Sequence, residues 1–262
     1  MGALDGQVAI MTGGGSGIGR SAALMLAAEG AQVVVAGRRK APLDEVVGEI
    51  AKAGGRAVAR PCDVEKAAEA RALAEWTIAQ YGRVDILVNN AGHSSRARNI
   101  RWVGQEEWDS VLAVNLTGVY ALTQAVLPSM IERGGGTIIT ISSLAALRPG
   151  LIGGAPYGAA KAAVLNLMGH VHKVLRDKGI RATTIMPAEV DTPILDNRPL
   201  RPDAMARSTM MHADDVARAI LLCATLPPRT VIETMVMSPT ILRDQSQDIK
   251  VARDEGAPPG AR

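Results

Sequence analysis

The chain has 262 residues, enough for one large domain with a sizeable core, and 47% of them are hydrophobic. Its net charge of +3 comes without a basic tract, which argues against a nucleic-acid partner. Two cysteines do not make a disulfide framework or a metal site, and no stretch approaches the ~20 apolar residues of a membrane span. The first residues lack a secretion signal, so we expect a cytoplasmic protein.

Short β-branched runs alternate with helix-length segments over the first 188 residues. The predicted strands cover 7–13, 31–37, 56–64, 84–92, 136–143 and 180–188. The predicted helices cover 17–29, 41–53, 65–81, 106–132 and 157–178. Continuous apolar strands separated by helices indicate a parallel sheet covered on both faces. We therefore predict a single-domain α/β fold over residues 1–242, doubly wound and Rossmann-like.

The pattern changes after residue 188. Residues 189–211 are rich in Pro, Arg and Asp, which predicts a mobile substrate loop with one short helix. A helix at 213–226 and a last strand at 231–239 follow. Residues 243–262 have little to bury, so we expect a flexible C-terminal tail.

The first strand leads into the segment TGGGSGIGR, which opens the first helix. Gly13, Gly17 and Gly19 permit a tight turn that presents free backbone N–H groups to a diphosphate. A glycine turn at this point is also explained by chain topology alone. Its place in the first strand-to-helix turn of a doubly wound sheet favours a dinucleotide site, to which Ser16 and Ile18 also belong.

The second strand ends in Arg38 and Arg39, where a site selective for NAD would carry an acidic residue. A guanidinium group binds a ribose 2′-phosphate, whereas a carboxylate repels it. This predicts a preference for NADP(H), with NAD(H) as the alternative cofactor. The other interpretation is that the two arginines form a solvated basic surface.

Tyr157 and Lys161 lie four residues apart, on one face of a predicted apolar helix. No acidic residue nearby in the sequence explains a buried ammonium group. A chemical role does explain it, because a close ammonium lowers the pKa of a phenol from about 10 and prepares it to exchange a proton.

Five motifs, and the order in which they occur, resemble those of the short-chain dehydrogenase/reductase family. The resemblance covers roughly residues 5–240. The motifs are TGxxxGIG from Thr12, NNAG from Asn89, Asn115, the serine of ISS and the Tyr157–Lys161 pair. The resemblance implies hydride transfer between a nicotinamide cofactor and a carbonyl or secondary alcohol of a small molecule. The alternatives on the same fold are a non-redox isomerase or lyase and a cofactor-binding sensor.

The resemblance also implies roles for individual residues. Tyr157 is similar to the general acid/base, Lys161 to the lysine that supports it and holds the nicotinamide ribose, and Ser143 to the residue that polarises the substrate oxygen. Asn115 is similar to the asparagine that anchors a water in a proton relay. Further cofactor contacts are implied for Asp63, Val64, Asn90, Ala91, Gly92, Pro187, Val190 and Thr192.

Several of these residues also have structural explanations. Asn90 fits a turn at a strand end, Asn115 a helix bend and Asp63 a helix cap. Ser142 competes with Ser143, because the interval from Ser143 to Tyr157 is one residue longer than is usual in the family.

Two further features concern the substrate and the assembly. Arg96, Arg98 and Arg101 follow the fourth strand without an intervening acid, which indicates either an anionic or carrier-bound substrate or an exposed basic loop. Segments 106–132 and 157–178 are more apolar than one sheet face requires, and in the family they pair across a two-fold axis. We therefore expect a homodimer or homotetramer. His170 and His172 point apart on a helix, and we expect no metal.

Overall fold

The structure is a computed structural model that describes residues 2–261. In chain order the strands are β1 (Val8–Thr12), β2 (Gln32–Gly37), β3 (Arg56–Pro61), β4 (Ile86–Asn89), β5 (Gly136–Ile141), β6 (Ile180–Pro187), β7 (Val190–Asp191), β8 (Met211–His212) and β9 (Thr234–Met237). Seven of them form one parallel sheet in the order β3-β2-β1-β4-β5-β6-β9, and β7 pairs with β8. The order reverses direction between β1 and β4, where doubly wound sheets place their ligands.

The helices alternate with these strands. They are α1 (Gly17–Ala28), α2 (Lys40–Lys52), α3 (Ala67–Tyr81), α4 (Gln105–Leu112), α5 (Gly118–Glu132), α6 (Ala155–Leu175), α7 (Ala204–Ser208), α8 (Ala213–Thr225) and α9 (Ser246–Asp254). A π-helical turn, Ala113–Thr117, joins α4 to α5. The predicted elements before residue 188 therefore all exist, with ends displaced by a few residues.

Both faces of the sheet are buried because alternate residues of each strand point to opposite sides. In β1, Ala9 and Met11 pack into one apolar core together with α1, α2 and α8. Ile10, between them, packs into a second core with α3, α5 and α6. The continuous apolar run from Val8 to Met11 in β1 supplies side chains to both cores, which confirms the doubly wound fold predicted from such runs.

The edge strands depart from the sequence-based prediction. β3 ends at Pro61 rather than at residue 64, and much of it is exposed because it has a neighbour on one side only. At the other edge, Val236 of β9 is 51% exposed. An apolar run therefore marks a strand but does not by itself distinguish a central position from an edge.

The continuous helical segment Gln105–Glu132 is long and apolar enough to span a membrane by length and composition, which the sequence analysis did not anticipate. Half of its most apolar window is buried inside the protein. Val119, Leu122 and Val126 pack into the core between the sheet and α3. The segment therefore serves as a core helix of the α/β domain.

The substrate loop and the tail are more regular than expected. Residues 189–211 contain β7, a short 3₁₀ helix, α7 and β8. Residues 243–262, expected to be a flexible tail, instead carry α9, as far as the described residues reach. Arg243 fixes this segment through hydrogen bonds to Glu189 and to Asp248 of α9, which supply the burial and pairing that composition did not predict.

Candidate active site

A cleft of about 1070 Å³ lies above the carboxyl ends of the parallel strands. It brings together residues from the glycine loop, the ends of β2 to β6, the start of α6, the substrate loop and the tail. Of the predicted site residues, those that line the cleft are Gly13, Ser16, Gly17, Ile18, Arg38, Arg39, Asp63, Val64, Asn90, Ala91, Gly92, Ser143, Tyr157, Lys161, Pro187, Val190 and Thr192. Gly19 and Asn115 lie behind this lining.

The glycine loop is built for close approach of the backbone. Gly13 and Gly17 adopt φ of 63° and 51°, values that disfavour any side chain. A Cβ at Gly19 would lie 2.2 Å from the carbonyl oxygen of Gly13, so only glycine permits this packing. Ser16, the residue before α1, makes no side-chain capping bond, and the first turn of α1 carries no acid. The helix N-terminus therefore presents N–H groups that suit a diphosphate.

Polar side chains tie the glycine loop to β4. The Thr12 hydroxyl accepts hydrogen bonds from the backbone N–H groups of Asn90 (2.9 Å) and Ala91 (3.0 Å). The Asn90 amide donates to the Thr12 carbonyl at 2.9 Å. Asn90 thus has the structural role that was its alternative interpretation, while it also borders the cleft.

At the outer end of the cleft, Arg38 and Arg39 are exposed directly after β2. Asp63 lines the neighbouring wall, and its carboxylate accepts a hydrogen bond from the backbone N–H of Glu65 at 3.2 Å. Asp63 thus forms a turn and is not the helix cap that was its alternative interpretation, because α3 begins later, at Ala67, and its N-cap residue is Lys66.

The inner end of the cleft holds three of the predicted catalytic side chains: Tyr157, Lys161 and Ser143. Tyr157 and Lys161 stand one turn apart on α6, and the ammonium nitrogen of Lys161 lies 5.4 Å from the centre of the Tyr157 ring. That nitrogen donates a hydrogen bond to the carbonyl of Ile141 at 2.8 Å and has no carboxylate partner among residues 2–261. Ser143, just after β5, lines the same cleft and lies close enough to Tyr157 to act on its pKa.

The pKa of Tyr157 differs from the sequence-based expectation. Burial raises it above its ordinary value, while the nearby Ser143 hydroxyl and the charges of Arg98 and Arg198 act to lower it. Lys161 is not among the groups that lower it, because its ammonium lies beside the ring and is directed at Ile141. Burial lowers the pKa of Lys161 itself to about 8. The phenol is therefore neutral at pH 7, with a proton to donate.

The two serines at the end of β5 have different environments. Ser142 is 2% exposed, and its hydroxyl donates to the backbone carbonyl of Lys161 at 2.8 Å. Ser143 is more open and turns toward Tyr157. Between Ser143 and Tyr157 the chain makes a turn in which the Gly154 N–H donates to the Gly150 carbonyl at 2.9 Å.

Asn115 lies in the π-helical turn, fully buried behind the Lys161 ammonium. Its amide nitrogen donates to the carbonyls of His93 and Val111, both at 2.8 Å. Within the described part of the chain, its side-chain oxygen has no hydrogen-bond partner. A Cβ at Gly92 would lie 2.7 Å from that oxygen and 3.4 Å from the Lys161 nitrogen, so the missing side chain of Gly92 opens the space between them.

The substrate side of the cleft carries an ion-pair cluster that the sequence analysis missed. Glu189 accepts hydrogen bonds from Arg198 at 2.6 Å and from Arg243 at 2.8 Å, and Arg243 also pairs with Asp248 at 2.8 Å. Burial opposes ionisation of Glu189, but the two arginines lower its pKa to about 2. These partners lie up to 59 residues apart in the chain, so no local pattern indicated them.

A glycine loop over a helix N-terminus and a buried Tyr-Lys pair in the same cleft define a dinucleotide-binding α/β enzyme. Comparison with known proteins makes the class specific: residues 7–202 match the short chain dehydrogenase family. The chain belongs to this family. The fold, the family and the oxidoreductase class predicted from the sequence are thereby confirmed.

Individual relatives are similar to this chain over nearly its whole length. The chain is 34% identical to a 3-oxoacyl-(acyl-carrier-protein) reductase of Thermotoga maritima, over 85% of this chain and 92% of that protein. It is 36% identical to a reductase of the same name from Synechocystis, over 88% and 94%. A metagenomic short-chain oxidoreductase in complex with NADP superposes with a TM-score of 0.80 at 34% identity, over 92% of this chain and all of that one.

Proposed function

We propose that this chain interconverts a carbonyl and a secondary alcohol on a small-molecule substrate, with NADP(H) as the preferred cofactor. The observation that carries the proposal is that a neutral, partly buried phenol, a serine hydroxyl and a buried ammonium converge where the glycine-loop cleft meets the substrate loop. The cofactor supplies or accepts the hydride when bound. The residues described below bind it and manage the proton.

Tyr157 acts as the proton donor in reduction and as the base in alcohol oxidation. The hydroxyl of Ser143 holds the substrate oxygen beside the phenol, which places the carbonyl for protonation. Burial keeps the phenol protonated at neutral pH, so the free enzyme is ready for the reductive direction.

Lys161 and Asn115 supply the proton path and hold the ribose. The buried ammonium has spare N–H donors beyond its bond to Ile141, and these suit ribose hydroxyls. The unpaired oxygen of Asn115 faces the space beside that ammonium, where a water would satisfy it. We infer that such a water links Lys161 to solvent.

Cofactor preference follows from the outer end of the cleft. Arg38 and Arg39 offer guanidinium groups directly after β2, at the position where an acid would pair with the ribose hydroxyls of NAD. The glycine loop, Val64 and the residues from Asn90 to Gly92 would hold the rest of the dinucleotide, and Pro187, Val190 and Thr192 its nicotinamide end. The metagenomic relative named above was solved with NADP, and a reductase from Brucella melitensis, with 32% identity and a TM-score of 0.81, with NADH.

We infer a homodimer or homotetramer, since Tyr120 of α5 and Val174 of α6 leave apolar surface exposed. We also infer a cytoplasmic location, because Cys62 and Cys223 are buried, unpaired thiols that fit a reducing compartment. Recovery of the enzyme from the periplasm or the membrane fraction would contradict that location.

The test of the catalytic role is Tyr157→Phe, which removes the proton donor and keeps the ring. We expect carbonyl reduction, followed by the loss of NADPH absorbance with a panel of ketones, to fall by about 10²-fold or more. NADPH affinity measured by fluorescence titration should change little. Tyr81→Phe is the matched control, because Tyr81 lies at the end of α3, outside the cleft lining. Turnover retained by Tyr157→Phe would refute the assignment.

A further inference from the structure

Arg98 is an arginine buried in the wall of the cleft, only 3% exposed. It lies in the loop after β4, against the start of the helix that carries Tyr157. The backbone N–H of Ala155, the first residue of α6, donates to the Arg98 carbonyl at 3.0 Å. A Cβ at Gly154 would lie 2.7 Å from the Arg98 Cδ. The side chain is therefore held within about one helical turn of Tyr157.

The guanidinium of Arg98 has no ion-pair partner among the described residues. It donates to the carbonyl of Ile152 and, at 3.3 Å, to the hydroxyl of Ser94, and its Nε has no hydrogen-bond partner. Among residues 2–261, no carboxylate forms a salt bridge with it. Burial lowers the pKa of Arg98 to about 10, and the charge of Arg198 adds to this effect, yet the group remains a cation at pH 7. A buried cation without an anion is costly unless a ligand supplies one.

The neighbouring charged side chains do not pair with the positive charge of Arg98. Arg198 and Arg243 are paired with Glu189 and Asp248 in the cluster described above, so two cations there face two anions. Glu107 and Asp248 act on Arg98 only at longer range, and Glu107 accepts a hydrogen bond from the backbone N–H of Arg96. Of the three arginines, Arg98 is therefore the one that no carboxylate pairs with directly, and it lies on the substrate side of Tyr157.

The other arginines of the same loop do not share this environment. Arg96 is exposed and pairs with Glu255 of the tail. Arg101 is exposed and stacks on Trp102, 4.4 Å from the ring centre. Both fit the solvated basic loop that was one interpretation of the sequence, whereas Arg98 fits an anion site.

We propose that Arg98 binds a carboxylate of the substrate, so that the substrate class is small oxo acids and the corresponding hydroxy acids. This inference rests on the proposed carbonyl/alcohol chemistry at Tyr157. Because Arg98 and Tyr157 border the same part of the cleft, the carboxylate and the reacting carbonyl belong to one small molecule and are separated by a few bonds. A 3-oxoacyl group on a carrier protein, the substrate in the names of the two curated relatives, has no free carboxylate to offer. The two substrate classes are therefore separable by experiment.

The test compares acids with their methyl esters, which have the same carbon skeleton without the charge. The pairs are 3-oxobutanoate, 4-oxopentanoate and 5-oxohexanoate with their esters, assayed with NADPH. Wild-type enzyme should favour at least one acid over its ester in kcat/KM. Arg98→Gln should lower that acid-to-ester ratio about 10- to 100-fold, because the variant loses a charge-assisted hydrogen bond to the carboxylate. Arg98→Lys should keep part of the ratio because it keeps the charge, and the control Arg101→Gln should leave it unchanged.

Two kinetic results would overturn the proposal. One is a wild-type enzyme that reduces no acid better than its ester. The other is an equal loss of activity on acid and ester in Arg98→Gln, as expected if Arg98 only supports the loop through Ile152. In either case the carbonyl reductase assignment stands, because the esters are still reduced.

A binding measurement decides the proposal if no compound in either series is turned over, a result that would count against the proposed function. Thermal unfolding is then followed with increasing butanoate, with chloride at equal ionic strength as the reference. A saturable rise in Tm in wild type that is lost in Arg98→Gln and partly kept in Arg98→Lys supports the anion site. No saturable rise in wild type overturns it.

Discussion

Lys161 buries an ammonium group beside the cleft without a carboxylate partner, and this has an energetic cost that can be measured. We expect Lys161→Met to stabilise the protein without cofactor while it abolishes the proposed activity. Methionine has nearly the same length as lysine and carries no charge, so it fills the site without the desolvation that lysine suffers. Measuring both activity and the free energy of unfolding therefore separates the role of Lys161 in catalysis from its effect on stability.

The magnitude follows from the pKa. Burial lowers the pKa of Lys161 from 10.5 to about 8, and this difference corresponds to a cost of about 3 kcal/mol at pH 7. Methionine cannot donate the hydrogen bond that Lys161 makes to the Ile141 carbonyl, and this loss offsets about 1 kcal/mol of the gain in stability. A net gain of about 2 kcal/mol remains, or a rise in Tm of about 4–8 °C for a chain of this size.

The pH dependence gives a second, independent signature. Between pH 8 and 10.5 the unfolded chain binds a proton at Lys161 that the folded protein does not, so wild-type stability rises with pH in this window. The amount by which the free energy of unfolding of Lys161→Met exceeds that of wild type should therefore be greatest below pH 8. It should shrink as the pH approaches 10.5.

Urea unfolding of both proteins at pH 7 and at pH 9.5, at one protein concentration, measures these differences. Lys173→Met is the matched control, because Lys173 is an exposed lysine on the same helix. We expect it to change the free energy of unfolding by less than about 0.5 kcal/mol. A Lys161→Met protein no more stable than wild type at pH 7, or an advantage independent of pH, would refute the reasoning.

Two further predictions concern the cofactor and the assembly. We expect kcat/KM to favour NADPH over NADH, and replacement of both Arg38 and Arg39 by Gln to reduce that ratio by about 10-fold or more, because charge-assisted hydrogen bonds to the 2′-phosphate are lost. Lys40→Gln is the control, since Lys40 pairs with Asp44, and a wild-type preference for NADH would contradict the assignment. Light scattering should give a particle of two or four chains, and a mass of 27.4 kDa, that of one chain, would exclude the oligomer.

The sequence was sufficient for features that depend on neighbours along the chain. The periodicity of apolar residues predicts every strand of the main sheet, and the glycines from Gly13 to Gly19 predict the turn that meets a diphosphate. The four-residue spacing of Tyr157 and Lys161 places both on one helix face. In each case the signal is a local pattern, because helix and strand periods are properties of consecutive residues.

The tertiary structure decided which groups lose water and which charges meet. Three arginines follow β4 in one loop, and only the packing against α6 shows that Arg98 is the buried one. The tail was expected to be flexible because its partner, Glu189, lies 54 residues before Arg243. The pKa of Tyr157 also differs from expectation, since it depends on burial, on Ser143 and on the charges of Arg98 and Arg198 rather than on Lys161. Burial and charge depend on distances in space, and residues far apart in the chain set those distances only after folding.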